Sequence, residues 1–134
     1  MISNDPNGSQ ATTRGVQVTV HSTYEEEQSD PANDRFLFSY RVRVENGSDE
    51  TVQLISRRWV VTDADGGEEV VEGPGVVGQQ PVLPPGGSFE YSSFCPLTTM
   101  VGAMQGSYWM VSGDGDSFEA EIAPFTLAVP GAVN

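Results

Sequence analysis

Residues 36–47 read Phe36-Leu37-Phe38-Ser39-Tyr40-Arg41-Val42-Arg43-Val44-Glu45-Asn46-Gly47, and their alternation decides the fold class. Phe36, Phe38, Tyr40, Val42 and Val44 fall on one side of an extended chain and Leu37, Ser39, Arg41, Arg43 and Glu45 on the other, the period of two that a half-buried strand requires. A helix would need apolar residues at i, i+3 and i+4, which this run does not supply. Asn46-Gly47 ends it with turn chemistry.

Upstream, Val16, Val18 and Val20 alternate with Gln17, Thr19 and His21 and give a first strand. Residues 1–14 are polar, turn-rich and aperiodic, and are expected as a flexible arm outside a single domain spanning 15–134. Downstream, the run from about Val52 to Thr62 is apolar on parts of both faces, with Val52, Leu54 and Val60 on one and Ile55, Trp59 and Val61 on the other. That pattern belongs to a central strand. Asp65-Gly66-Gly67 turns the chain into a short run around Val70-Val71, and Phe89/Tyr91, Tyr108/Met110 and Phe118/Ala120/Ile122 mark three more strands. About seven short strands, Gly/Pro punctuation and no helical segment predict an all-β antiparallel β-sandwich.

The 134 residues fit one domain, and the charge narrows its partners. Nineteen Asp and Glu against six Arg and no Lys give a formal net charge of -13. Nucleic-acid affinity comes from cations displacing counterions on phosphates, so no nucleic acid is expected, and an anionic membrane surface is disfavoured likewise. The acid excess serves solubility, would attract a basic patch, and fits a chain adapted to high salt, where a Debye length of about 3 Å at 1 M screens self-repulsion. No apolar run approaches the ~18 residues of a membrane span, and Met1-Ile2-Ser3-Asn4-Asp5 lacks a basic, apolar leader. A soluble cytoplasmic protein is expected.

Catalytic constellations are hard to assemble. His21 is the only imidazole and sits on the polar side of its strand, and Cys95, the only thiol, has no base beside it. Asp63-Ala64-Asp65-Gly66-Gly67-Glu68-Glu69 misses the EF-hand register, and Asp114-Gly115-Asp116 reads as a hairpin turn. No metal site, no cofactor and no enzymatic activity are expected, with weak divalent-cation binding at these acidic turns as the most they offer. Two features remain as candidate sites. Gly73-Pro74-Gly75-Val76-Val77-Gly78 matches Gly-x-Gly-x-x-Gly inside the long connection from Gly73 to Gly87. Backbone N–H groups at Gly73, Gly75, Val76, Val77, Gly78 and Gln79 are therefore the candidates for holding a phosphate or pyrophosphate. Pro81, Pro84 and Pro85 remove the helix that a dinucleotide site needs. Arg57 and Trp59 share a strand face, and both residue types are favoured interaction anchors; the competing reading places Trp59 in the core.

Taken together, the sequence resembles the ApaG family from about Val16 to Pro130. The resemblance rests on Ser29-Asp30-Pro31 with Asn33, Phe38 and Tyr40; on Val52 through Trp59; on Gly73 through Pro81; on Gly102-Ala103-Met104-Gln105-Gly106-Ser107-Tyr108; and on Phe125-Thr126-Leu127. It implies a fibronectin type III-like, immunoglobulin-like sandwich and makes the Gly-rich loop a family feature. Bacterial members are associated with cobalt and magnesium tolerance, and eukaryotic relatives occur in F-box proteins as interaction modules. The expectation is a non-enzymatic module whose partner is another protein. The alternative is a small-ligand sensor binding phosphate, pyrophosphate or a dinucleoside polyphosphate at the loop with a divalent cation.

Overall fold

The computed structural model describes residues 5–132. It is a sandwich of two antiparallel sheets. The first orders as β1-β2-β3-β7, built from β1 (Gly8–Thr13), β2 (Val16–Tyr24), β3 (Phe36–Asn46) and β7 (Ser88–Leu97). The second orders as β5-β4-β8-β9, built from β4 (Val52–Asp63), β5 (Glu68–Pro74), β8 (Val101–Ser112) and β9 (Ser117–Ala128), with the short β6 (Val82–Leu83) beside β4. Glu26–Gln28 and Pro31–Asn33 form single 3₁₀ turns between β2 and β3.

Alternation in β3 buries Phe36, Phe38, Tyr40, Val42 and Val44. They meet Leu54, Trp59, Tyr108, Met110, Ile122 and Leu127 of the other sheet in one core, as two facing pleated surfaces must to remove their apolar sides from water. In β4 the expected faces are corrected. A register shift between Leu54 and Ser56 inserts a bulge, so Leu54 and Trp59, five residues apart, both point inward and are buried.

The expected arm over residues 1–14 is also corrected in part, since Gly8–Thr13 forms β1 and pairs antiparallel with β2; residues 1–4 lie outside the described residues. Its six residues contain no large apolar side chain, so tertiary hydrogen bonds hold it. Ser9 Oγ donates to Ala123 O at 2.6 Å and Thr13 Oγ1 accepts from Glu121 N–H at 3.0 Å. Pro6 O accepts from Thr126 N–H at 2.7 Å. These bonds stitch β1 to β9 along one side of the sandwich.

The connection from Gly73 to Gly87 is more regular than its composition suggests, for β5 runs to Pro74 and β6 lies within it. Ser112-to-Asp116 is the expected hairpin turn, in which Ser112 Oγ and the Asp116 N–H hold the Asp114 carboxyl below its usual range. No described helix is long and apolar enough to cross a membrane.

Candidate functional site

The side opposite the β1–β9 seam is open. β5 is the last strand of its sheet and β7 the last of the other. Flanking β5 at its two ends, the bonds Asp63 N–H to Gly67 O (2.9 Å) and Gly75 N–H to Ile55 O (2.8 Å) fix the phase of the β4–β5 ladder. By antiparallel alternation Glu69, Val71 and Gly73 direct their backbone groups at β4, whereas those of Glu68, Val70 and Glu72 point away from the sheet. Val70 and Val71 are exposed, between Glu68-Glu69 and Glu72.

Arg57 and the Gly-rich loop, read as separate candidates, come together at the end of this edge. Arg57 Nη1 donates to Pro74 O at 2.9 Å and Gly75 O at 3.0 Å. A Cβ on Gly73 would lie 3.0 Å from the guanidinium, so Gly73 leaves the room in which Arg57 lies. Gln80 Nε2 donates to Ile55 O at 2.9 Å, tying the far end of the loop to β4.

Gly75 is fixed doubly, by φ of +60° and by Gln79 O only 2.2 Å from where a Cβ would sit. Val76 and Gln79 exchange backbone bonds of 2.8 and 2.9 Å around Val77 and Gly78. Both central residues have positive φ, 43° and 79°, as a type I′ hairpin turn requires. The N–H groups of Gly75, Val76 and Gln79 are thus spent on internal acceptors. Among the described residues Val77 and Gly78, at the tip, keep N–H groups without one.

Val77 is a β-branched residue at positive φ, a costly conformation, and its side chain is 54% exposed. Val77→Gly is therefore expected to raise stability by about 1 kcal/mol, the strain relieved less the added freedom of the unfolded chain. An unchanged or lowered urea midpoint would contradict the strain.

Trp59 is not a surface anchor. It is 2% exposed, and its ring packs against Tyr40, Tyr108 and Phe125 at centroid distances of 5.2, 6.3 and 6.1 Å. This corrects the Arg57/Trp59 interaction face. Beside it, Tyr91 and Tyr108 share a hydrogen bond between their hydroxyls, and burial holds both phenols above their ordinary range.

Cys95 is buried on the β7 lip. Burial, and then the Glu69 carboxylate, push its thiol from an ordinary 9.0 up to about 11. At pH 8 the native protein is expected to react with a disulfide reagent at most about one hundredth as fast as the unfolded chain, because two pH units separate the thiolate fractions. The folded value is the higher one, so the thiol's contribution to stability is complete below about 9 and is lost as pH rises toward about 11. A fast native-state reaction at pH 8 would contradict the burial.

His21 is exposed and pairs with Asp5 at 2.8 Å. Among the described residues no group of three or more His, Cys, Asp or Glu side chains could hold a metal ion. Sequence reasoning missed the β5 edge. Its signal is the pair Val70-Val71 set between carboxylates on a short strand, a pattern that alternation alone cannot place.

An ApaG domain family model matches residues 26–112. Protein ApaG of Anaeromyxobacter dehalogenans (strain 2CP-1 / ATCC BAA-258) is 56% identical over 126 residues, 94% of this chain and 99% of that protein. Protein ApaG of Brucella suis biovar 1 (strain 1330) is 55% identical over 120 residues, 90% of this chain and 92% of that protein. Among solved structures, one from Bordetella pertussis named for the ApaA protein superposes with a TM-score of 0.85 at 46% identity, covering 87% of this chain and 94% of that one. With the family model covering most of the domain and these relatives spanning nearly the whole chain, the protein belongs to the ApaG family.

Proposed function

We propose that the protein is a non-enzymatic, cytoplasmic protein-interaction module that engages its partner at the open side of the sandwich. One observation carries this reading: of the four strands that end the two sheets, β1 and β9 are tied to each other by hydrogen bonds, whereas β5 and β7 have no strand paired beyond them among the described residues. An unpaired sheet edge is a template for another chain. The Gly-rich loop, braced by Arg57 and Gln80, serves as the end-stop of the β5 edge in this reading.

The test is site-directed photocrosslinking in the source cell. A photoreactive residue replaces Val71 on β5 or Phe94 on β7, both exposed, and as a control Glu119 on β9. Discrete protein adducts from the two edge positions and none from the control would support the reading. Adducts absent from both edges, or alike at all three positions, would overturn it.

A further inference from the structure

We infer that the β5 edge accepts a basic, extended peptide segment as an additional strand. This inference rests on the interaction reading above and names the partner's chemistry. Charge separates the two open edges. At β7, Glu90 is engaged by Arg41 at 3.1 Å and Arg43 at 3.5 Å, so cations already line that edge. At β5 the side chains are Glu68, Glu69, Val70, Val71 and Glu72; Arg58 lies 3.8 Å from Glu72, and Arg57, beyond Gly73, is spent on the carbonyls of Pro74 and Gly75.

Cross-strand neighbours share a sheet face, so the register specifies the guest. Glu69 and Val71 pair with Val61 and Trp59 and lie on the inner face, while Glu68, Val70 and Glu72 pair with Thr62, Val60 and Arg58 on the outer. A guest strand would set apolar residues opposite Val70 and Val71 and basic ones opposite the three glutamates. Every pairing in both sheets is antiparallel, and in that direction the guest reads basic-apolar-apolar-basic-basic. Its backbone would meet the outward groups of Val70 and Glu72, and Pro74, lacking an N–H, ends the pairing.

A second feature fits the inner basic side chain. Between the two edges lies a cavity of about 320 Å³ lined by Val61, Glu68 and Glu69 on one lip and by Pro96, Leu97 and Thr98 on the other. A lysine or arginine opposite Glu69 would lay its aliphatic stem on Val61 and Leu97 and bring its charge to the glutamates.

The test is an amide NMR titration of the full chain with three acetylated, amidated heptapeptides: Ser-Lys-Val-Val-Lys-Lys-Ser, the same peptide with Glu for Lys, and the same peptide with Thr for Lys. The lysine peptide is expected to saturate, to shift the Val70 and Glu72 amides and to slow their exchange with solvent. Val70→Pro removes the outward N–H without touching the β4 ladder and should weaken binding about tenfold or more. A variant combining Glu68→Gln, Glu69→Gln and Glu72→Gln should do the same through lost charge pairs. Shifts spread over the acidic surface without protection at Val70 and Glu72, or full affinity in the proline variant, would overturn the inference. If the threonine peptide took the edge as tightly as the lysine peptide, the basic partner would fall and the interaction reading would stand. If photocrosslinking gave no edge adducts and no peptide perturbed either edge, both would fall.

Discussion

Gly106→Ala is expected to lose about 3 kcal/mol or more of stability, a large share of the 5–15 kcal/mol typical of a domain. A Cβ at Gly106 would lie 1.9 Å from Arg58 O and 3.1 Å from Trp59 Cα. Both atoms belong to the β4 backbone, so no side-chain rotamer can relieve the clash and the central β4–β8 pairing must spread. Gly106 lies beside a bulge in β9, where Ala123 and Pro124 face the single residue Gln105 as the register shifts between Met104/Phe125 and Gly106/Ile122, and the close approach of β4 depends on the missing side chain. Gly113→Ala is the matched control. Its added atom would meet nothing nearer than Thr51 O at 3.5 Å, and a change within about 0.5 kcal/mol is expected. Urea unfolding of the two variants with unchanged slope compares them directly, and equal midpoints would contradict the close approach of β4 to β8 at Gly106.

Trp59→Ala is expected to lose about 3–5 kcal/mol, the usual range for emptying an aromatic site in a core. Trp59→Phe should lose far less, about 1 kcal/mol, for a reason peculiar to this position. The indole Nε1 is a buried donor that meets no acceptor in good hydrogen-bond geometry among the described residues, although the Tyr91 hydroxyl is close enough for the indole N–H to pull that phenol's pKa downward against its burial. Deleting it recovers a desolvation penalty of about 1–3 kcal/mol, which offsets the smaller ring. The same variant isolates the other indole, because the second of the two tryptophans, Trp109, is 41% exposed. Emission from Trp59→Phe should be that of a solvated indole. A loss in Trp59→Phe as large as in Trp59→Ala would mean that the N–H has a partner.

How far the sequence carried the structure depends on where each element's determinants lie. The alternation of Phe36 through Val44 is local, and β3 forms as read. Alternation cannot give the two faces of β4, because a one-residue bulge at Ile55 reverses the parity of everything after it, and nothing in Leu54-Ile55-Ser56 announces the inserted residue. β1 resembles an arm in sequence because Gly8-Ser9-Gln10-Ala11-Thr12-Thr13 has no apolar rhythm; its place comes from β2 and from bonds to β9, more than a hundred residues away. The candidate site was legible in its parts. Arg57 and the three glycines stand out by residue type and spacing, yet their meeting depends on the β4–β5 register, and the openness of the β5 edge is a property of the strand order. A sequence records strands, not which of them lack neighbours.

The β1–β9 seam also bears on how a complex at the other side would end. A sheet protein with complementary free edges on both flanks can add copies indefinitely, since each arrival presents a fresh edge to the next. Here the flank that would pass growth onward is consumed by the chain's own first strand, and the receptive flank carries Glu68, Glu69 and Glu72, which repel the same strand of a second molecule. On the reading proposed above, such a molecule would terminate a sheet rather than propagate one, a single guest strand at β5 closing the complex.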